Sequence, residues 1–329
     1  MKRRAFVVGS LGIVAAPAIA RIARAQERIR PVEFITGSPT ASWFPVAAAI
    51  AEMTNRFYEG QPVSVIPGAG AVSNPVRVGR QQSELGISYA PFLQLAIQGG
   101  NEVYRDAMPN LRAIASGSTN MLHFVVETGS PIRRVRDLAT QRPRLRVGTG
   151  PNGSTELFSL QQLLAAMNLS LRDVESWGGR VERLPTSGRS DGHMNRQLDL
   201  TNYFINPPAA EIVEMLNSRP GTILSIDDDI RDVLVQRWSF IRYDIPANTY
   251  PGQSEVVRTL GLPYVIFTHA AVDETLVYRV AKVMFENKPR LAAAHASFND
   301  WDPRAMNQGL GIALHPGAQR FYREVGIAT

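Results

Sequence analysis

The sequence contains no cysteine. Disulfide bonds, thiolate catalysis and zinc sites built on cysteine are therefore excluded. We also expect no lipid anchor of the kind that is attached to an N-terminal cysteine. Internal repeats and low-complexity tracts are absent as well, and 44% of the residues are apolar while 19% are charged. This composition is typical of a globular protein, and 329 residues are enough for two ordinary domains.

Lysine is scarce, since only Lys2, Lys282 and Lys288 occur among 35 basic residues. The formal net charge of +6 is concentrated, because five of the cations and no acid lie in residues 1–25. The rest of the chain carries 30 basic and 29 acidic side chains. A nearly neutral body has no overall field that would attract nucleic acid or an anionic membrane, so we expect no nucleic-acid partner.

No segment is apolar over the ~20 residues that a transmembrane helix requires. The longest apolar stretch covers residues 6–20, follows a Lys-Arg-Arg start and precedes Ala23-Arg24-Ala25. This pattern predicts a cleaved export signal over residues 1–25 and a soluble periplasmic chain that begins at Gln26. Arg3-Arg4 within the start resembles a twin-arginine signal, although ordinary secretory signals also carry paired cations. The alternative is an N-terminal membrane anchor.

The remaining sequence alternates strand and helix patterns. Short apolar runs at 32–35, 63–66 and 85–88 are separated by helical patterns, and the alternation restarts after an extended run at 121–127. Such a pattern is typical of a mostly parallel sheet with helices on both faces. A second extended run, Tyr264 to Thr268, precedes the C-terminal helices.

Two α/β units that are joined by two extended crossings predict a two-lobed clamp. We predict lobe 1 from residues 26–122 plus 268–329 and lobe 2 from residues 123–267. The two hinge crossings are expected near 122–126 and 265–268. Ligands of α/β sheets bind beyond the carboxyl ends of the strands, so the loops of both lobes should face one cleft.

Two short motifs suggest enzyme chemistry. Residues 148–153 read G-x-G-x-x-G between a strand and a helix, as in dinucleotide sites, and an exported NAD(P)-dependent oxidoreductase is therefore the alternative function. Pro151 disturbs the turn, and no strand ends in an acid about 20 residues later. A simpler interpretation is an anion site at a helix start. Residues 188–192 read G-x-S-x-G, but the preceding strand ends too early for a nucleophile elbow, which favours a surface loop.

The remaining titratable residues predict neither a metal site nor a cofactor. The five histidines are scattered, without an H-E-x-x-H pattern or a close pair. Three consecutive aspartates, Asp227 to Asp229, precede a helical pattern, where carboxylates complement the helix dipole. We interpret them as a helix cap, with a calcium site as the alternative.

Several segments together resemble one family, the TAXI class of TRAP transporter solute receptors. Residues 36–45, T-G-S-P-T-A-S-W-F-P, resemble its Gly/Thr-rich loop that ends in two aromatics and proline. Residues 245–253, I-P-A-N-T-Y-P-G-Q, are similar to its I-P-A-G-T-Y-P-G-Q segment, and residues 148–156 to its second-lobe loop. Short stretches at 285–287, 291–295, 314–318 and 321–322 resemble its C-terminal helices. The resemblance covers nearly the whole mature chain in the expected order.

The resemblance implies a type II periplasmic-binding-protein fold and a receptor that performs no chemistry. It implies capture of a small organic anion, such as a dicarboxylate, a keto acid or an amino acid like glutamate. The receptor would be a monomer that docks transiently on a sodium-driven TRAP permease in the membrane. Carried over position by position, the expected ligand-binding residues are Ser38, Thr40, Ser42, Trp43, Tyr89, Ser154, Thr155, Asn206 and Tyr250.

The sequence departs from the family pattern at the first loop and at Tyr89, where glutamine is common. Losing an amide removes polar partners, so a less polar or aromatic acid becomes possible. No arginine is required by the motifs. We therefore expect the Ser154 and Thr155 hydroxyls and nearby backbone N–H groups to hold the carboxylate. The alternative is a bidentate clamp by an arginine near a cleft loop, either Arg77, Arg80 or Arg189.

Overall fold

A computed structural model describes residues 28–328, so the predicted export signal lies outside the described residues. Strands and helices alternate through most of this range, as the sequence predicts. The strands are β1 (Val32–Ile35), β2 (Val63–Ile66), β3 (Leu85–Tyr89), β4 (Leu111–Glu127), β5 (Arg146–Thr149), β6 (Arg180–Arg183), β7 (Leu200–Ile205), β8 (Gly221–Ile223), β9 (Ile241–Ile245) and β10 (Val257–His269). The α-helices are α1 (Trp43–Asn55), α2 (Asn74–Gly79), α3 (Ala90–Gln98), α4 (Asp137–Gln141), α5 (Thr155–Ala166), α6 (Leu171–Ser176), α7 (Thr186–Met194), α8 (Ala210–Ser218), α9 (Asp228–Trp238), α10 (Glu274–Glu286), α11 (Lys288–Ala294) and α12 (Pro316–Glu324).

The strands form one mixed sheet in the order β2-β1-β3-β10-β4-β7-β5-β6, with β8 beside β4 and β9 beside β10. β1 pairs in parallel with β2 and β3, and β5 pairs in parallel with β6 and β7. We refer to β1–β3 as the first strand group and to β5–β9 as the second. The long strands β4 and β10 pair antiparallel with each other and connect the two groups.

Both long strands change partners along their length. In β10, residues 257–261 pair with β9, and residues 264–268 pair with β3. In β4, residues 121–126 pair with β7. The chain therefore passes between the groups near 116–121 and 261–264, before both predicted hinges. Residues 264–267, which the sequence assigns to lobe 2, pair with the first group. The predicted hinge lies later than the observed crossing because the apolar run Tyr264–Thr268, from which it was predicted, covers only the second half of β10.

The sheet is buried by helices on both faces, and its core includes strand residues with almost no exposure, such as Phe34, Ile87 and Leu200. α10 and α12 pack against each other beside the first group. Asn74 connects β3 to the residue that follows β1, because its amide nitrogen donates to the carbonyls of Thr36 and Ile87, each at 2.8 Å. Within the described part of the chain, no helix has the length and apolarity needed to cross a membrane.

The G-x-S-x-G segment is not the surface loop that the sequence favours. Residues 188–192 lie inside α7, which is buried along one face, with Arg189 and Ser190 both inaccessible. The Ser190 hydroxyl is 3.2 Å from the Thr186 carbonyl, one turn earlier in the same helix, so it occupies no nucleophile elbow. The sequence also places this helix too late, near 192–197. Its glycines and polar residues hide the helical periodicity on which the prediction depends.

Candidate functional site

A cavity of about 230 Å³ lies between the two strand groups. Its walls come from the segments that follow β1, β2, β5 and β6, from the ends of β3 and β7, and from the middle of β4. The parallel strands of each group point their carboxyl ends at this cavity. This is the position in which α/β sheets bind ligands. Loops from both strand groups line this cavity.

Three helices begin at the cavity. α1 begins at Trp43 after Ser42, α5 begins at Thr155 after Ser154, and α7 begins at Thr186. Each helix start presents backbone N–H groups without an intrahelical partner and the positive end of a helix dipole. Residues of all three starts line the same cavity. The cavity is thus suited to a group with negative charge.

Ser154 performs two tasks at the start of α5. It is the N-cap, and its hydroxyl oxygen accepts a hydrogen bond from the Leu157 N–H at 3.2 Å. Its hydroxyl hydrogen is not used in that bond and can still be donated to a ligand. Gly150 allows this arrangement, because a Cβ there would lie 2.3 Å from the Ser154 hydroxyl oxygen. A glycine at this place in the G-x-G-x-x-G segment therefore has a local packing reason.

A buried ion pair lies against the same wall. Arg189 is 1% exposed and donates to a Glu156 carboxylate oxygen at 2.8 Å and to the Leu184 carbonyl at 2.7 Å. Its guanidinium carbon lies 4.9 Å from the ring centroid of Tyr203. Its Nε finds no hydrogen-bond partner among residues 28–328. The charge of Arg189 is thus largely compensated by Glu156, while one N–H remains without an acceptor.

Aromatic rings form much of the remaining wall. Tyr89 packs against Trp43 with ring centroids 5.3 Å apart and against Phe204 at 5.1 Å. Phe204 belongs to the second strand group, so these rings meet across the cavity. Burial and the nearby Glu156 carboxylate raise the pKa of Tyr89 well above its usual value, so its hydroxyl stays neutral. The wall offers a large apolar surface and the phenol hydroxyl of Tyr89.

Asn120 lies where β4 passes between the two groups, and it contributes to the cavity wall with 3% exposure. Its side-chain nitrogen donates to the Tyr89 hydroxyl at 3.0 Å and to the Phe204 carbonyl at 3.2 Å. Its side-chain oxygen has no partner in the described range, and neither does the indole nitrogen of Trp43. Among the described residues of the cavity wall, one buried acceptor and, with the Arg189 Nε, two buried donors therefore have no partner.

The structure brings six of the nine sequence-predicted site residues to the cavity: Ser38, Ser42, Trp43, Tyr89, Ser154 and Thr155. Three others do not line it. Thr40 is exposed, with its hydroxyl 3.1 Å from that of Ser38. Asn206 donates its amide to the Thr119 carbonyl at 2.6 Å. Of the three candidate arginines, Arg189 lines the cavity, whereas Arg77 and Arg80 are exposed and lie near Glu33 and Asp106.

Tyr250 lies in a buried cluster behind β4 rather than at the cavity. Its hydroxyl lies 2.9 Å from Nε2 of His123, and it accepts a hydrogen bond from the Ala209 N–H at 3.0 Å. Nδ1 of His123 lies 2.9 Å from the Met121 carbonyl, which can only accept. Nδ1 therefore carries the proton, and the Tyr250 hydroxyl donates to Nε2. Every polar atom of this relay has a partner, which gives Tyr250 a structural role.

Sequence reasoning did not find Asn120, Glu156, Thr186 or the aromatic residues Tyr203 and Phe204. Glu156 lay within the recognised second-lobe loop, so its position in the sequence could have drawn attention to it. Asn120 carried no such signal, because it lies within a strand and far from every loop motif. Its place at the cavity depends on the point where β4 passes between the strand groups.

Comparison with known proteins identifies the family. A model of the NMT1-like family matches residues 34–326, which is most of the chain. The chain belongs to the NMT1-like family. Two of the structural neighbours described next are a binding protein component of an ABC phosphonate transporter and a periplasmic binding protein.

Three solved structures share the fold of this NMT1-like protein. A binding protein component of an ABC phosphonate transporter from Pseudomonas aeruginosa is 11% identical, with 82% of this chain and 79% of that chain covered and a TM-score of 0.52. The periplasmic binding protein BugD is 13% identical, with 91% and 98% covered and a TM-score of 0.54. A protein from Bordetella bronchiseptica is also 13% identical, with 91% and 98% covered and a TM-score of 0.52. The predicted type II periplasmic-binding fold is thereby confirmed.

Proposed function

We propose that this receptor is of the TAXI class and captures a small organic monocarboxylate with an apolar skeleton for a sodium-driven TRAP permease. The observation that carries the proposal is the convergence of three helix N-termini on one buried cavity. A helix start typically stabilises a nearby anion by about 0.3–1 kcal/mol, and by more when it is partly buried. The proposed binding residues are the six sequence-predicted residues that line the cavity, together with Asn120.

The charge balance of the cavity favours a single carboxylate over a dicarboxylate. Among the lining residues within 28–328, Arg189 is the only arginine or lysine, and Glu156 already neutralises it. A second ligand carboxylate would therefore meet the Glu156 charge without a free cation to balance it, at a cost that grows in a low-dielectric site. One carboxylate fits the Ser154 hydroxyl and the N–H groups at the start of α5.

The ligand skeleton is proposed to pack on Trp43, Tyr89 and Phe204. Ligand sites are usually apolar walls with a few well-placed polar groups, and this cavity has that composition. Tyr89 replaces the glutamine that the family resemblance implies, which exchanges an amide for an aromatic face. Aromatic or branched acids therefore fit the wall better than strongly polar acids such as glutamate.

The two strand groups are proposed to act as the two lobes of a clamp. They contact each other through backbone bonds between the segments after β2 and β5 and through the Phe92 and Phe158 rings at 5.0 Å. β4 and β10 would supply the hinges. Closure over a ligand excludes water and strengthens each charge-assisted hydrogen bond.

A binding screen tests the proposal. The mature chain is purified from an exporting host, and small molecules released on unfolding are identified by mass spectrometry. Thermal shift then compares aromatic and aliphatic monocarboxylates with dicarboxylates and with NAD(P). The proposal expects the largest shift for a monocarboxylate. Stabilisation by a dinucleotide alone would contradict it, and equal shifts for succinate and butyrate would contradict the argument from charge balance.

The permease class needs a separate measurement. Uptake of the identified ligand by cells that produce the receptor is measured after the sodium gradient is collapsed and, separately, after ATP depletion with the gradient maintained. A TRAP partner predicts loss of uptake in the first condition and retention in the second. The opposite result would assign the receptor to an ATP-driven importer while leaving the cavity assignment intact.

A further inference from the structure

The side-chain oxygen of Asn120, a residue of the cavity wall, is a buried hydrogen-bond acceptor that has no donor. Both hydrogens of its side-chain nitrogen are committed, one to the Tyr89 hydroxyl and one to the Phe204 carbonyl. Its side-chain oxygen has no partner in the part of the chain that the structure describes. The residue is 3% exposed and lies on the cavity wall. Buried polar atoms are nearly always paired, so this oxygen calls for a partner from outside the protein chain.

The orientation of the Asn120 amide follows from its neighbours. A backbone carbonyl can only accept a hydrogen bond, so the atom that faces the Phe204 oxygen at 3.2 Å has to be the nitrogen. A flipped amide would place two oxygens against each other. The unpaired atom is therefore the oxygen, and the missing group is a donor.

A structural role for Asn120 explains its nitrogen but not its oxygen. The two donated bonds connect β4 to Tyr89 in the first strand group and to Phe204 in the second. If Asn120 served only to connect the two strand groups, burial of its oxygen without a donor would lower the stability of the fold and no interaction would offset that loss. Burying an acceptor without a donor costs about 1–3 kcal/mol. At 1.4 kcal/mol per factor of ten, this cost changes an equilibrium constant by roughly 5- to 150-fold.

We infer that the ligand carries a hydrogen-bond donor in addition to its carboxylate, and that Asn120 determines specificity by accepting from it. The inference rests on the proposed function. A carboxylate has no donor at neutral pH, so the donor is a second group, a hydroxyl or an ammonium. A hydroxy acid or an amino acid therefore binds more tightly than the same acid without that group. A site built to hydrogen-bond such a group discriminates strongly against the analogue that lacks it.

Matched acids provide the test, and each set shares one skeleton. The aromatic set is 3-phenylpropionate without a donor, and 3-phenyllactate, phenylalanine and 3-(4-hydroxyphenyl)propionate with one. The aliphatic set is succinate, malate and aspartate. Calorimetry on the full mature chain is expected to show at least one donor-bearing acid that binds roughly 5- to 150-fold more tightly than the donor-free acid of its set.

Two variants assign the preference to Asn120. Asn120→Leu removes the acceptor, and the affinities within a set are expected to converge to within about twofold. Asn120→Asp keeps an oxygen at the same place, replaces the donor that faces the Phe204 carbonyl by a second oxygen, and adds negative charge. The protein is therefore expected to be less stable, but the preference is expected to persist and to shift towards the ammonium-bearing acid. Thermal unfolding without ligand confirms that each variant is folded. If Asn120→Leu does not fold, the shift towards the amino acid in Asn120→Asp is the deciding measurement.

The outcomes separate the inference from the proposed function. If the donor-bearing acids bind the unaltered protein no better than the donor-free acid, the inference is wrong and the receptor function stands. A preference that survives in Asn120→Leu, or an Asn120→Asp variant without the shift, overturns the role of Asn120. If no acid of either set binds, the proposed carboxylate function itself fails, and the inference fails with it.

Discussion

The carbonyl oxygen of Gly153 accepts a hydrogen bond from the N–H of Val72, 3.1 Å away, and so joins the loop after β5 to the segment before α2. The neighbouring Ser73 N–H donates to the same oxygen at 3.2 Å. These bonds connect the two strand groups at one side of the cavity. If the groups are lobes that close over a ligand, closure depends on how closely these two backbones can approach.

A methyl group at position 153 should therefore keep the clamp from closing. In Gly153→Ala the new Cβ would lie 2.8 Å from the Ser73 Cβ, and the backbone φ is +84°. We expect weaker binding of the best acid and a larger radius of gyration in small-angle scattering with that acid at saturation. The control is Gly129→Ala, at φ +90° with nothing within 4 Å, which carries the same backbone strain without the contact. Equal losses of affinity in both variants would contradict the closure model.

The anchor of the carboxylate can be decided by two double variants. Ser154→Ala/Thr155→Val removes both hydroxyls and is expected to weaken binding by about two to four powers of ten, at roughly 1.5–3 kcal/mol for each bond to a charged group. It should also lower the free energy of unfolding by about 0.5–2 kcal/mol, because the Ser154 cap is lost.

Glu156→Gln/Arg189→Met is the matched comparison, because it removes one charge of each sign and leaves the net charge of the cavity unchanged. Binding should fall by less than tenfold if neutral donors hold the ligand. Calorimetry on both variants decides the question. If Glu156→Gln/Arg189→Met does not bind the acid while Ser154→Ala/Thr155→Val binds it like the unaltered protein, Arg189 is the anchor.

Tyr89→Gln tests the apolar wall. The change introduces the amide that the family resemblance leads us to expect and removes ring contacts with Trp43 and Phe204. An aromatic pair contributes about 0.5–1.5 kcal/mol beyond area burial, so loss of the pair between Tyr89 and an aromatic acid should lower the affinity by roughly 2- to 12-fold. Affinity for glutamate should rise. Tyr89→Phe, which keeps the ring, serves as the control, and competition binding gives both affinities. An unchanged ranking of the acids would contradict the assignment.

Acid should destabilise the protein through His123. Burial lowers the pKa of this imidazole to about 4, below the value of about 6.5 in an unfolded chain. The unfolded state therefore binds the proton first as pH falls, so the His123 contribution is complete above pH 6.5 and is lost progressively towards pH 4. At about 1.4 kcal/mol per pH unit, the total loss is on the order of 3 kcal/mol.

Chemical denaturation between pH 4 and pH 7.5 measures this effect. Burial also lowers the pKa of other histidines. The comparison is therefore with His123→Gln, which removes only one titrating group. The difference between the two stability curves should be largest near neutral pH and shrink below pH 6.5. Parallel curves would show that His123 does not carry the dependence.

The sequence alone determined much of the fold and many of the cleft loops. β1 and β2 have the bounds that their patterns predict, because burial of an element leaves a local pattern in the sequence. Loop motifs after β1 and β5 led to Ser42, Trp43, Ser154 and Thr155. These residues follow strand ends, and the topology of parallel sheets brings strand ends together.

Tertiary structure alone decided what the remaining side chains contact. Tyr250 belonged to the most specific motif, yet it packs behind β4 against His123. Among three arginines near predicted loops, only Arg189 reaches the cavity. Asn120 had no motif and became part of the site because β4 passes between the strand groups at that residue. Periodicity records whether a residue is buried, whereas its partners depend on segments far away in the chain, and those are fixed only when the strands pair.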